Sequence, residues 1–137
     1  MHKDYAYAVD MVVAAKMIAG GYFHHSIHDK KLDLVILTLQ EEVDNPQLCD
    51  STLNAIMIDV FNVASERREF LPDEFLFCIK IMGLLLLKYD NNTPLICKNW
   101  LPQGETSREM LKNFADVRKQ IEQEMNLSSR LIKAVHV

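Results

Sequence analysis

The sequence predicts an all-α fold, a single-domain, bundle-like array of six or seven helices over residues 1–137. Apolar residues recur at three- and four-residue steps through most of the chain, the spacing that lines up one face of a helix. No stretch shows the two-residue alternation of a half-buried strand, and there is no Asn-Gly or Asp-Gly hairpin signal. Stop and start residues recur at helix-length intervals. A chain of 137 residues, 49% hydrophobic and 25% charged, can hold one core without disulfides or a structural metal.

The first helix, of about four turns, is marked by Val9, Val12, Val13, Lys16 and Met17, with Gly20-Gly21 as its stop. Asp29 caps a second, whose Leu32, Ile36, Leu39 and Val43 share a face. Asn45-Pro46 is expected to end it and to start the third as Asn cap and first-turn Pro. That third helix carries Leu53, Ile56, Met57, Val60 and Ala64. Phe75 to Leu87 is interrupted only by Lys80 and Gly83 and is shorter than the ~20 apolar residues of a membrane span, so it reads as a buried central helix. Pro72 is expected at its first position, and Asp90 to Pro94 end it. Residues 91–105 form the longest linker. Thr106 and Glu109 form a capping box before a helix with Leu111, Phe114, Val117, Ile121 and Met125 inward. Lys112–Asp116 and Arg118–Glu122 are expected as ion pairs on its wet side. Ser128 caps a short last helix with Leu131, Ile132 and Val135.

The net charge of −4 is unevenly spread. Residues 41–74 hold nine acids, Glu41, Glu42, Asp44, Asp50, Asp59, Glu66, Glu69, Asp73 and Glu74, against Arg67 and Arg68. The residues after them carry nine bases against six acids. An acidic middle repels phosphate backbones, and Lys30-Lys31 and Arg67-Arg68 are isolated pairs, so no nucleic-acid partner is expected. The start, Met1-His2-Lys3-Asp4, is polar and lacks the apolar stretch of a secretory leader. Cys49, Cys78 and Cys97 are odd in number and widely spaced, as reduced cytoplasmic thiols are. The expectation is a cytoplasmic protein with no membrane segment and no cofactor.

Three groups of residues have chemical potential. His24 and His28 would share a helical face, with His25, Asp29 and Asp33 nearby, but no HExxH or paired-Cys motif accompanies them, and no metal site is assigned. Arg130 and His136 resemble the Arg-x(4–6)-His signature of the HEPN ribonucleases, small α-helical enzymes in which Arg and His act on the scissile phosphate. The chain departs from that family in having Leu131 after the Arg and His136 as its penultimate residue. Glu41-Glu42 with Asp44, and Glu66, Glu69, Asp73 and Glu74, are similar to the acidic helix pairs that bind Mg²⁺ in all-α nucleotide pyrophosphatases, except that Val43-Asp44-Asn45 breaks the E-E-x-x-E pattern.

No catalytic set is complete, and the chain reads as a binding protein. In whole-chain character, small, acidic, helical and without signature motifs, it is similar to bacterial immunity proteins, including those of contact-dependent growth inhibition. That resemblance implies an inhibitor that covers the substrate site of a cognate toxin, commonly a basic nuclease. The partner-binding residues are then the nine acids of 41–74 and Trp100, the only Trp, which would serve as an interface anchor. The competing expectation is a helical adaptor or regulatory subunit that self-associates through apolar surface, with Tyr5, Tyr7, Tyr22, Phe23 and Phe61 as candidates.

Overall fold

The structure, a computed structural model, describes residues 5–19, 29–45, 47–89 and 98–124. Among them are five α-helices, two 3-10 turns and no strand, so the fold is all-α as expected. The helices are α1 (Tyr5–Ala19), α2 (Lys30–Asp44), α3 (Asp50–Glu66), α4 (Asp73–Tyr89) and α5 (Gly104–Glu124), and the turns are Arg68–Phe70 and Lys98–Trp100. The count falls short of six or seven. The last helix expected from Ser128 and the stretch around His24 lie outside the described residues.

α1 packs against each of the other four helices, and every side chain from Ala8 to Ala15 is buried. Its alanines make this feasible, because small side chains let several neighbours approach one axis. The sequence gives the central place to Phe75–Leu87 alone. α4 does bury Phe75, Cys78, Ile79 and the whole of 81–86, but α1 shares the role.

α2 follows its expectation closely. The Asp29 carboxylate accepts the Leu32 N–H at 2.9 Å, and Leu32, Ile36, Leu39 and Val43 are its buried residues. The Leu32 N–H and the Arg67 guanidinium hold the Asp29 carboxyl below its ordinary value, so this cap stabilises the fold at neutral pH and is lost as pH falls through the depressed value. Asn45 ends α2 but does not begin α3. Its side-chain oxygen accepts the Gln47 N–H at 2.8 Å in a local turn, and Cys49 takes the N-cap position instead. α3 then runs back along α2, so that Arg67, just past its end, hydrogen-bonds to Asp29. Leu53, Met57, Val60 and Ala64 are buried, Ile56 is half-buried, and Phe61 joins the core.

The Pro72 carbonyl accepts the Leu76 N–H at 2.9 Å, which places Pro72 at the cap of α4, one residue before the expected position. Gly83 lets α4 meet Phe61 and Leu101 closely. A Cβ there would stand 2.5 Å from the Phe61 ring and 3.0 Å from a Leu101 methyl. α5 begins at Gly104, with φ of 61°, two residues before the expected capping box. Phe114 is its one buried residue, Leu111 and Ile121 are half-buried, Val117 is exposed, and Met125 is outside the described residues. Arg118 is not on the wet side: it turns inward to Asp10 at 2.8 Å. Lys112 and Asp116 are exposed and form no ion pair among the described residues.

Candidate binding site

The acids of 41–74 do not form one continuous face. α3 is a rod with Asp50 at its first residue and Glu66 at its last, roughly 24 Å apart at 1.5 Å per residue. Glu41, Glu42, Asp44 and Asp50 gather at one end of the α2–α3 hairpin, and Glu66, Glu69, Asp73 and Glu74 belong to the other, with exposed Asp59 between. That separation exceeds the ~8–10 Å Debye length at physiological salt, so the two groups act as separate fields. The same separation keeps the two acidic groups from converging as an acidic helix pair. Among the described residues no three of His, Cys, Asp and Glu are grouped to hold a metal ion.

Several of these acids already have internal partners. Glu42 accepts the Cys49 N–H at 3.3 Å, Asp44 lies 3.9 Å from Lys16, and Glu66 is 3.2 Å from Arg67. Glu41, Glu69, Asp73 and Glu74 point into solvent.

Trp100 joins the second group. Its ring stacks on Phe61 with centroids 5.7 Å apart and planes 12° from parallel, and its indole N–H donates to the buried Ser65 hydroxyl at 3.2 Å. Ser65 is doubly used, since its carbonyl accepts from Arg68 at 2.8 Å. The Arg68 guanidinium and the Lys80 ammonium lie 5.8 and 5.9 Å from the Trp100 ring centroid, within cation–π range. The half-buried indole is thus held on a rigid support while its open side borders a groove of about 370 Å³. Leu76, Phe77, Trp100, Pro102 and Met110 supply its apolar wall, and Asp73, Lys80 and Thr106 its polar margin. Phe77 is 43% exposed, and Phe70, on the turn that carries Glu69, is 85% exposed. Large aromatics in water beside charged groups of both signs are the makings of a protein interface.

The most enclosed polar cluster among the described residues is one that no local sequence pattern announces. Asp10 accepts the Tyr89 hydroxyl at 2.6 Å and the Arg118 guanidinium at 2.8 Å, tying α1, α4 and α5 together. The Asp10 side chain is 6% exposed, and its hydrogen bond holds Arg118 further in its charged form. The available signal was Asp10 itself, the one acid in a stretch from Tyr5 to Ala19 whose other charge is Lys16.

Two described cysteines are free thiols of opposite character. Cys49 is exposed at the start of α3, where hydrogen bonds from Ser51 and Thr52 lower its pKa to about 7. Burial and the nearby Glu74 push Cys78 up to about 11. Iodoacetamide should therefore modify Cys49 with a rate that rises with pH and is half-maximal near 7, while Cys78 reacts only on unfolding. Peptide mapping of a pH series reads this directly, and equal labelling of both thiols in the folded protein would contradict it.

His24, His25, His28, Cys97, Arg130 and His136 lie outside the described residues. No helix among the described residues is long and apolar enough to cross a membrane. Compared with protein-family models, curated proteins and solved structures, the chain matches none.

Proposed function

We propose that this chain is a non-catalytic cytoplasmic binding protein that neutralises a basic protein partner, an inhibitor in the manner of bacterial immunity proteins acting on a nuclease toxin. The observation that carries the reading is the apolar groove around Trp100, set beside Glu69, Asp73 and Glu74. Trp100 is the pre-organised anchor: its ring is already stacked and hydrogen-bonded, so little side-chain freedom is lost when a partner side chain enters beside it. The acids supply steering toward a basic surface, and the mixed Asp73 and Lys80 margin sets the register. The Glu41 group stands too far away to share this contact and contributes only to the long-range field.

The test is affinity capture with the tagged chain from the cell that makes it, identification of what is retained, and titration of the purified pair. A basic toxin-like protein bound at nanomolar affinity is the expected result. Reversing Glu69 and Asp73 to Lys should then slow association about tenfold at low salt and much less at high salt. Trp100→Phe should speed dissociation with association unchanged, because it removes packing and an N–H but no charge. An association rate indifferent to salt and to both reversals would sink the reading.

A further inference from the structure

α2 carries an outer stripe that its place in the fold does not use. Its buried residues, Leu32, Ile36, Leu39 and Val43, face the core. On the opposite side Lys30, Leu34, Leu37 and Glu41 fall within an arc of about 60°, at steps of four, three and four residues, the spacing of a coiled-coil seam. All four are exposed, Leu34 by 63% and Leu37 by 50%. Two leucines one turn apart, both turned to water on a helix that already has a buried face, pack against nothing that the described residues supply.

The charges at the two ends of this stripe say what covers it. Lys30 and Lys31 stand beside Asp33 in the first turn, and Glu41, Glu42 and Asp44 close the helix with no base in its last turn, an end that the helix dipole disfavours for acids. Glu42 and Asp44 have partners inside the chain. Among the described residues Lys30, Lys31 and Glu41 form no ion pair. A second copy of α2 laid antiparallel across the first answers all of these features at one register. A two-fold axis midway between residues 35 and 36 sets Leu34 against Leu37 of the other copy, and the same axis sets Lys30 against its Glu41. Each lysine then meets both an acid and the negative end of the facing helix. A parallel copy would set lysine against lysine.

We infer that the outer face of α2 is a self-recognition surface on which two copies of this chain pair antiparallel, with Leu34 and Leu37 as the apolar centre and Lys30–Glu41 ion pairs at each end. A two-fold contact of this kind is isologous, so it stops at the dimer. It is one helix pair wide and smaller than a standard stable interface, which makes a dissociation constant on the order of 100 µM the expectation. The pairing does not rest on the inhibitor reading: the groove is built from α4, α5 and the Trp100 turn, and it stays open in the dimer.

Sedimentation equilibrium of the full chain from about 10 µM to about 1 mM tests the pairing, with circular dichroism to confirm that each variant is folded. The wild-type chain should dimerise, and Lys30→Glu or Glu41→Lys alone should weaken the dimer about tenfold. Mixing the two single variants should restore association, because every facing pair in the mixed dimer is again opposite in sign. The double variant should also restore it, and Leu34→Ser with Leu37→Ser should abolish it. A wild-type chain that is monomeric across the range overturns the proposal, as does a dimer indifferent to both single reversals, or single variants that stay apart when mixed.

Discussion

Arg118→Ala is expected to lower stability by about 3–5 kcal/mol, a fall in Tm of roughly 10–20 °C for a chain of this size. The loss is not that of a surface ion pair. Asp10 is buried among the apolar side chains of α1, and the substitution leaves its carboxylate, among the described residues, with the Tyr89 hydroxyl alone. An uncompensated charge at such a site costs far more than the pair contributed. Thermal unfolding should show Arg118→Ala and Asp10→Ala to be severe and strongly non-additive, because either one removes the same interaction. Replacing the whole cluster, Asp10→Leu with Tyr89→Phe and Arg118→Met, should recover most of the loss, since well-packed apolar groups can substitute for a buried ion pair. The buried Arg118 Nε, which has no hydrogen-bond partner among the described residues, already bears part of the desolvation cost. Single variants with Tm within a degree or two of the wild type would show that the cluster is hydrated and cheap.

Gly83→Val is expected to destabilise the protein by about 3 kcal/mol and to change the fluorescence of its single tryptophan. The Cβ alone would meet the Phe61 ring at 2.5 Å, and Phe61 is fully buried with Trp100 stacked on its face. The ring cannot withdraw without carrying the indole along. Gly83→Ala should show the same effect at smaller size, because the helix propensity gained, about 1 kcal/mol, offsets part of the clash. Paired measurements of denaturant midpoint and emission maximum decide the matter. A stable Gly83→Val protein with unaltered emission would mean that α4 and Phe61 are less closely packed than the geometry states.

What was legible in the sequence was whatever neighbouring residues decide among themselves. The stripe of Leu32, Ile36, Leu39 and Val43 and the Asp29 cap need nothing beyond one turn of helix to be read, and all are found as expected. Asn45-Pro46 is expected to stop α2 and to start α3, since a helix stop and a helix start use the same chemistry, and only the first is found. The Asn45 side chain accepts the Gln47 N–H instead of capping α3. Spacing pairs Arg118 with Glu122, whose charge it does feel, but its hydrogen-bonded partner Asp10 lies 108 residues away in the chain. α1 showed a stripe, but burial on every side depends on four neighbours that no local pattern announces. The candidate site divides the same way. The acids were countable, but their separation into two groups, and the placement of Trp100 with only the second, follow from how α3 turns back along α2 and where Ser65 meets the indole.

The position of α1 in the chain gives its place in the fold a consequence in time. Of the five described helices, the one that touches the other four is made before them, and its last partner arrives late: 108 residues separate Asp10 from Arg118. At ~5–20 residues per second, roughly 5–20 s separate the synthesis of Asp10 from that of the guanidinium that neutralises it. During that interval α1 can pack on α2, α3 and α4, which are made before α5, but Asp10 goes without its charge partner, so the full burial of α1 waits on α5.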